Sequence, residues 1–244
     1  MALGLSGGGL FGAYQVGAWM TLGKWFQPDI IVGASIGSLN GWSIAGGATG
    51  EQLGDIWRAA GNGSVQKWKL PRKAWDGIMD STHLDSLIRQ IYDSFTPKCE
   101  FGVALTEIPR FKRRVINREI TWVHLAASCA VPGVLPQRRI DGQLYTDGGF
   151  LGALPAWGAA ELGATHILGI NVMPPLAIRL AMSAVRILAG PPPAFRAESF
   201  VLTPSRPLGG AREALQWNSD LFERWLDMGR REAENISLPQ CFER

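Results

Sequence analysis

Ile30-Ile31-Val32-Gly33-Ala34-Ser35-Ile36-Gly37 joins an apolar run to a serine framed by glycines. Ile30 to Val32 reads as a short buried strand, and a helix is expected from Ile36 towards Ala45. Between them lies the spacing G-x-S-x-G. That spacing suits a serine held on a sharp, strained strand-to-helix turn, with glycines removing clashes against the neighbouring chain. The following helix brings the positive end of its dipole towards the serine. A simple Gly-Ser turn has the same spelling, so the neighbouring sequence must decide.

Upstream, Ala2 to Leu5 predicts a first buried strand, and Ala13 to Lys24 a first helix. The loop between them, Gly7-Gly8-Gly9-Leu10-Phe11-Gly12, can point backbone N–H groups at one spot, because no Cβ blocks the approach. Such a loop binds a phosphate or holds the oxyanion formed when an ester carbonyl is attacked. Its spelling also matches the dinucleotide fingerprint G-x-G-x-x-G. That reading needs an acidic residue after the second strand. Asp29 lies before that strand, and Gly33 and Ala34 follow it.

Downstream, the helix and strand patterns alternate. A helix is expected from His83 to about Phe95, with Ser81-Thr82 as its cap and Asp85 in its first turn. Strands are expected at Phe101–Thr106 and Arg114–Asn117, and a helix from Thr121 to Ala130 that stops before Pro132. Asp141-Gly142 sits between apolar residues as a hairpin turn. Pro155 opens a helix to Leu162, and Ile167 to Val172 reads as another buried strand. This alternation defines an α/β chain with a largely parallel sheet. The serine turn follows only the second strand, too early for the common α/β-hydrolase order.

The bulk numbers agree. The chain has 244 residues, 46% hydrophobic and 18% charged, which suits a globular protein of one domain. A net charge of +3 is too weak to imply nucleic-acid binding, so no nucleic-acid partner is expected. The three cysteines, Cys99, Cys129 and Cys241, form no metal-ligand spacing and no disulfide framework, so no metal and no cofactor are expected. Without a signal-like leader or a long apolar span, a cytoplasmic protein is expected, with leaderless export left open.

A serine nucleophile needs a base. His83, His124 and His166 stand at a helix start, within a helix and before a strand, and each is read as a structural or surface residue. Asp147 has a better setting. It stands in Tyr145-Thr146-Asp147-Gly148-Gly149, an open turn that can aim a carboxylate outward.

In this order the motifs resemble the patatin-like phospholipases. The matching pieces are Gly7 to Gly12, Gly33 to Gly37, Ala127-Ser128-Cys129-Ala130-Val131-Pro132-Gly133-Val134-Leu135-Pro136, Ile140 to Tyr145, and Asp147-Gly148-Gly149. The resemblance covers roughly residues 2 to 172. It implies a three-layer α/β fold, a central mostly parallel sheet flanked by helices, and one domain over 1–244 in which 173–244 is a helical and strand extension. It also implies a Ser35–Asp147 dyad without histidine and an oxyanion hole at Gly7, Gly8 and Gly9, supported by the motif glycines Gly12, Gly33, Gly37, Gly148 and Gly149. The implied substrates are phospholipids, lysophospholipids or other acyl esters. Two departures stand out: Phe11 takes a place where the family often has Arg or Lys, and Gly152-Ala153 replaces a common Asn-Asn. They keep a second reading in view, a weak or silent lipid-binding protein of the same fold.

Lys67-Trp68-Lys69 and Arg72-Lys73-Ala74-Trp75 interleave cations with tryptophan, which suits either peripheral membrane contact or a solvated loop with anchoring aromatics. Leu176 to Leu188 is apolar except for a polar face at Arg179, Ser183 and Arg186. It is expected to be a helix packed on the sheet, a lid or an interfacial element.

Overall fold

The computed structural model describes residues 1–61, 76–173, 189–237 and 239–242. The tryptophan-rich patch at 67–75 and the expected helix 176–188 lie outside the described residues.

The strands are β1 (Ala2–Leu5), β2 (Ile30–Ala34), β3 (Glu100–Ile108), β4 (Lys112–Ile116), β5 (Arg138–Ile140), β6 (Gln143–Thr146), β7 (His166–Ile170) and β8 (Glu198–Leu202). The helices are α1 (Gly12–Leu22), α2 (Ile36–Ala45), α3 (Gly50–Gly61), α4 (Thr82–Ser94), α5 (Trp122–Ser128), α6 (Ala156–Glu161), α7 (Ala211–Leu215) and α8 (Ser219–Glu234). The strands pair in the order β5-β6-β3-β2-β1-β7-β8, with β4 also on β3. From β3 to β8 the pairing is parallel, while β4, β5 and β6 join antiparallel.

The central strands β1 and β2 are apolar throughout and almost wholly buried, as expected for parallel strands covered on both faces. Successive residues separate the two layers. Leu3, Ile31 and Leu168 point into the large core with residues of α1, α2 and α8. Ala2, Val32 and Ile167 point the other way, into a smaller cluster that includes Ala159 of α6. This is the expected three-layer α/β arrangement.

Some boundaries differ from the sequence reading. Pro155 caps α6 instead of opening it. Helix α5 ends at Ser128, and the chain then turns through Val131 to Gly133, whose φ of 76° suits glycine. The segment after residue 189 is woven into the fold. β8 extends the sheet beside β7. α8 crosses α1 so closely that a Cβ on Gly17 would lie 1.8 Å from the Leu226 carbonyl oxygen. The Tyr14 hydroxyl donates to Glu232 at 2.6 Å across the same contact.

Candidate active site

The site starts from how β3 is shared. Ala104 pairs with Ala34 of β2 and with Val115 of β4, while Thr106 pairs with Arg113 of β4 and with Thr146 of β6. A strand has only two edges. β4 takes one, so β2 and β6 must occupy successive stretches of the other. They run towards each other along it, and each leaves the sheet where they meet. The residue after β2 is Ser35, and the residue after β6 is Asp147. Residues far apart in sequence are thereby brought together by strand register.

Ser35 holds φ 52° and ψ −128°, a conformation that costs a non-glycine residue about 1–3 kcal/mol. The turn can be this tight because Gly33 and Gly37 lack side chains. A Cβ on Gly33 would lie 2.2 Å from the Gly37 carbonyl oxygen, and one on Gly37 would lie 2.4 Å from that of Leu5. The Ser38 hydroxyl donates to the Ser35 carbonyl at 2.6 Å, and the Ser35 N–H donates to Ser128 Oγ at 2.9 Å. Helix α2 begins immediately after Ser35, so its amide end lies beside the serine.

Asp147 is buried, and its Oδ1 accepts the Gly149 N–H at 2.7 Å. Oδ2 is buried and, among the described residues, has no hydrogen bond of good geometry. Burial pushes the Asp147 pKa up from 3.8 to about 6, although the Ser35 hydroxyl and the Gly149 N–H pull it back down. The carboxylate therefore sits beside the serine hydroxyl, with Oδ1 held by the Gly149 N–H.

The glycine loop closes the third side. A Cβ on Gly7 would lie 3.2 Å from Ser35 Cβ and 3.6 Å from Gly149 Cα, so loop, serine turn and acid turn are in contact. The three amides of the expected oxyanion site differ, however. The Gly7 N–H already donates to the Ala153 carbonyl at 3.0 Å, which removes it as a donor. No bond among the described residues engages the N–H groups of Gly8 and Gly9. Gly8 and Gly9 hold φ of 155° and 58°, and a Cβ on Gly9 would lie 2.2 Å from the Ala214 carbonyl oxygen. Both departures from the family pattern are structurally absorbed. Phe11 is buried edge-on against Trp225, ring centroids 5.0 Å apart, and anchors the loop by packing instead of charge. Ala153 ties the acid turn to the glycine loop through its carbonyl.

Ser35 opens onto a cavity of about 210 Å³ with mostly apolar walls, among them Leu10, Leu39, Trp57, Leu84, Val131 and Trp217. His83 shares this wall, with Nε2 3.3 Å from the Ala60 carbonyl oxygen. His124 Nδ1 accepts the Thr121 N–H at 3.0 Å at the start of α5, and His166 heads β7. No hydrogen bond among the described residues links a histidine to Ser35 or Asp147.

Two supports went unassigned in the sequence. Ser128 Oγ donates to the Ala104 carbonyl at 2.8 Å while accepting from Ser35, and its carbonyl accepts the Gly148 N–H at 3.1 Å. One residue thus links serine turn, acid turn and β3. Behind the turn, Trp57 Nε1 donates to Asn40, Asn40 to Gln15, and Gln15 to the Ser6 carbonyl, a buried chain that fixes α1, α2 and α3 around the loop. Ser128→Ala is expected to destabilise the fold by about 2–4 kcal/mol, since it leaves a buried N–H and a buried carbonyl unpaired. Urea denaturation of the variant checks this.

A central mostly parallel sheet between helical layers, with a strained serine and a buried aspartate meeting on one strand edge, defines an α/β protein built around a serine elbow. The patatin-like phospholipase model matches residues 3–160. The chain belongs to the patatin-like phospholipase family. Patatin-like phospholipase domain-containing protein 7 of Mus musculus is 31% identical over 185 residues, covering 70% of this chain and 13% of that protein. Lysophospholipase NTE1 of Debaryomyces hansenii is 27% identical over 190 residues, covering 70% of this chain and 12% of that protein. The chain thus spans only a small part of these relatives. VipD from Legionella pneumophila superposes with a TM-score of 0.53 at 13% identity, covering 96% of this chain and 66% of that one, a likeness of fold.

Proposed function

We propose that this chain is a serine acyl hydrolase that cleaves fatty-acyl esters of phospholipids or lysophospholipids, as a single catalytic domain. The observation that carries the proposal is the contact of Ser35 with a buried Asp147 at the wall of an apolar cavity. The family and the lysophospholipase among its relatives supply the substrate class.

In the proposed reaction Asp147 takes the Ser35 proton as Oγ attacks the acyl carbonyl. The Gly8 and Gly9 amides hold the oxyanion, each contributing about 2.7–4 kcal/mol. Protonated Asp147 then gives its proton to the departing alcohol, leaving an acyl ester on Ser35. Water, deprotonated by Asp147, attacks that ester. The fatty acid leaves and Ser35 recovers its proton. A carboxylate is a weak base for serine. Burial compensates in part, because a pKa near 6 makes Asp147 more basic while keeping it ionised at neutral pH.

The base must be deprotonated, so kcat/KM is expected to fall about tenfold per pH unit below about 6 and to level off above it. A pH–rate profile on a soluble short-chain ester checks this without vesicle effects.

The function is tested by assaying fatty-acid release from lysophosphatidylcholine, phosphatidylcholine and p-nitrophenyl esters. Release from a lipid substrate supports the proposal. Folded protein that binds lipid and releases no fatty acid from any of them would establish the silent lipid-binding reading instead. Of the described residues, no helix is long and apolar enough to cross a membrane. Peripheral contact with a lipid surface is part of the proposal.

A further inference from the structure

At the N-terminal ends of β7 and β8, away from the serine site, three metal-type donors converge. His166 heads β7 and Glu198 heads β8, and the two are register partners on adjacent parallel strands. Their side chains therefore lie on one face of the sheet, with His166 Nε2 3.7 Å from Glu198 Oε2. The Glu198 N–H donates to the Thr165 carbonyl at 2.9 Å, which fixes the two strand ends side by side. The third donor comes from the short turn Gln240–Phe242. Phe242 is buried and packs edge-on against the His166 ring, centroids 6.1 Å apart, and this seats Cys241 beside the other two. One ligand atom from each of His166, Glu198 and Cys241 lies within 4.8 Å of the others.

The supporting shell is also present. Thr165 Oγ1 lies 3.0 Å from His166 Nδ1. With Nδ1–H donating to that hydroxyl oxygen, Nε2, the nitrogen facing Glu198, is left to bind. A thiolate, an imidazole and a carboxylate together suit zinc better than magnesium or calcium, which prefer oxygen alone. Zinc bonds of about 2.0–2.3 Å place tetrahedral donors roughly 3.3–3.8 Å apart. Glu198 and Cys241 are exposed side chains, free to rotate towards that spacing. The glutamate side chain is 73% exposed, so an ion can enter from solvent.

We infer that His166, Glu198 and Cys241 bind one zinc ion, with water as fourth ligand, and so clamp the turn Gln240–Phe242 onto the sheet. The three ligands are distant in sequence, which is why their spacing gave no metal signal. The inference is independent of the proposed hydrolysis.

Cobalt(II) tests it. The full chain, reduced, chelator-treated and kept anaerobic, is titrated with Co²⁺. A thiolate-to-cobalt charge-transfer band saturating at one equivalent and bleached by Zn²⁺ is expected. Cys241→Ser should abolish the band, and Cys99→Ser should leave it intact. Thr165→Ala, which touches no ligand atom directly, should weaken binding by about 10–100-fold. Absence of a one-equivalent band in folded wild type, or a band that survives Cys241→Ser, would overturn the inference. Ser35→Ala is expected to bind cobalt as wild type does, which separates failure here from failure of the hydrolase reading.

Discussion

Asp147→Asn is expected to abolish turnover while making the protein more stable. Loss of the base should lower kcat by roughly 10²–10⁴-fold. The stability change has the opposite sign because Asp147 is buried, and among the described residues one of its oxygens has no hydrogen bond of good geometry. Its pKa is raised from 3.8 to about 6, so the folded state binds the proton more tightly than the unfolded state. A group shifted in this direction favours folding most below pH 3.8, and that contribution is lost as pH rises through about 6. At pH 8 the ionised carboxylate costs the fold about 3 kcal/mol. Asparagine keeps the acceptor for the Gly149 N–H and carries no charge. Its expected gain is therefore up to about 3 kcal/mol at pH 8, a Tm rise of roughly 6–12 °C, and almost none at pH 4. Thermal melts at the two pH values check both sign and window. A variant that lost stability at pH 8 would show that Asp147 is structural.

Ser35 carries the second large effect. Ser35→Ala is expected to bring fatty-acid release down to background, a loss on the order of 10⁶-fold for a nucleophile acting in concert with its base. Alanine keeps the strained φ of 52°, whereas glycine accepts it. Ser35→Gly should therefore be equally inactive yet more stable than Ser35→Ala by about 1–3 kcal/mol in urea denaturation. On the proposed mechanism, the backbone cost of serine here is tolerated for its hydroxyl. Both positions hold a side chain that a purely structural turn would not favour.

Much of this was legible in the sequence because it rests on local rules. The apolar runs of β1, β2 and β7 read as buried strands, and the glycines of the serine turn mark where backbones touch. Asp141-Gly142 marked its hairpin, with φ of 47° and 79° at the two residues. What stayed hidden depends on pairing across distance. No local pattern says that β2 and β6 share an edge of β3, which is what joins Ser35 to Asp147. The Gly7 amide looked free because its acceptor, the Ala153 carbonyl, is remote in the chain. Likewise Ala214, Leu215 and Trp217 reach the cavity from the C-terminal segment. Helix α8 follows local rules as well. Asn218 caps it by accepting the Leu221 N–H at 2.9 Å, and Phe222, Trp225, Leu226, Gly229 and Ala233 form a helical stripe readable in the sequence.

The central claim is that Ser35 is activated by Asp147 and by no histidine. Fluorophosphonate labelling measures this directly, with the adduct mapped by mass spectrometry and the rate followed against pH. The expected result is a single adduct on Ser35. Its rate should rise with one ionisation near pH 6 and should be lost in Asp147→Asn. It should be largely retained when His83, His124 and His166 are all replaced by glutamine. An adduct on another residue, or a folded histidine-free protein that no longer reacts, would contradict it.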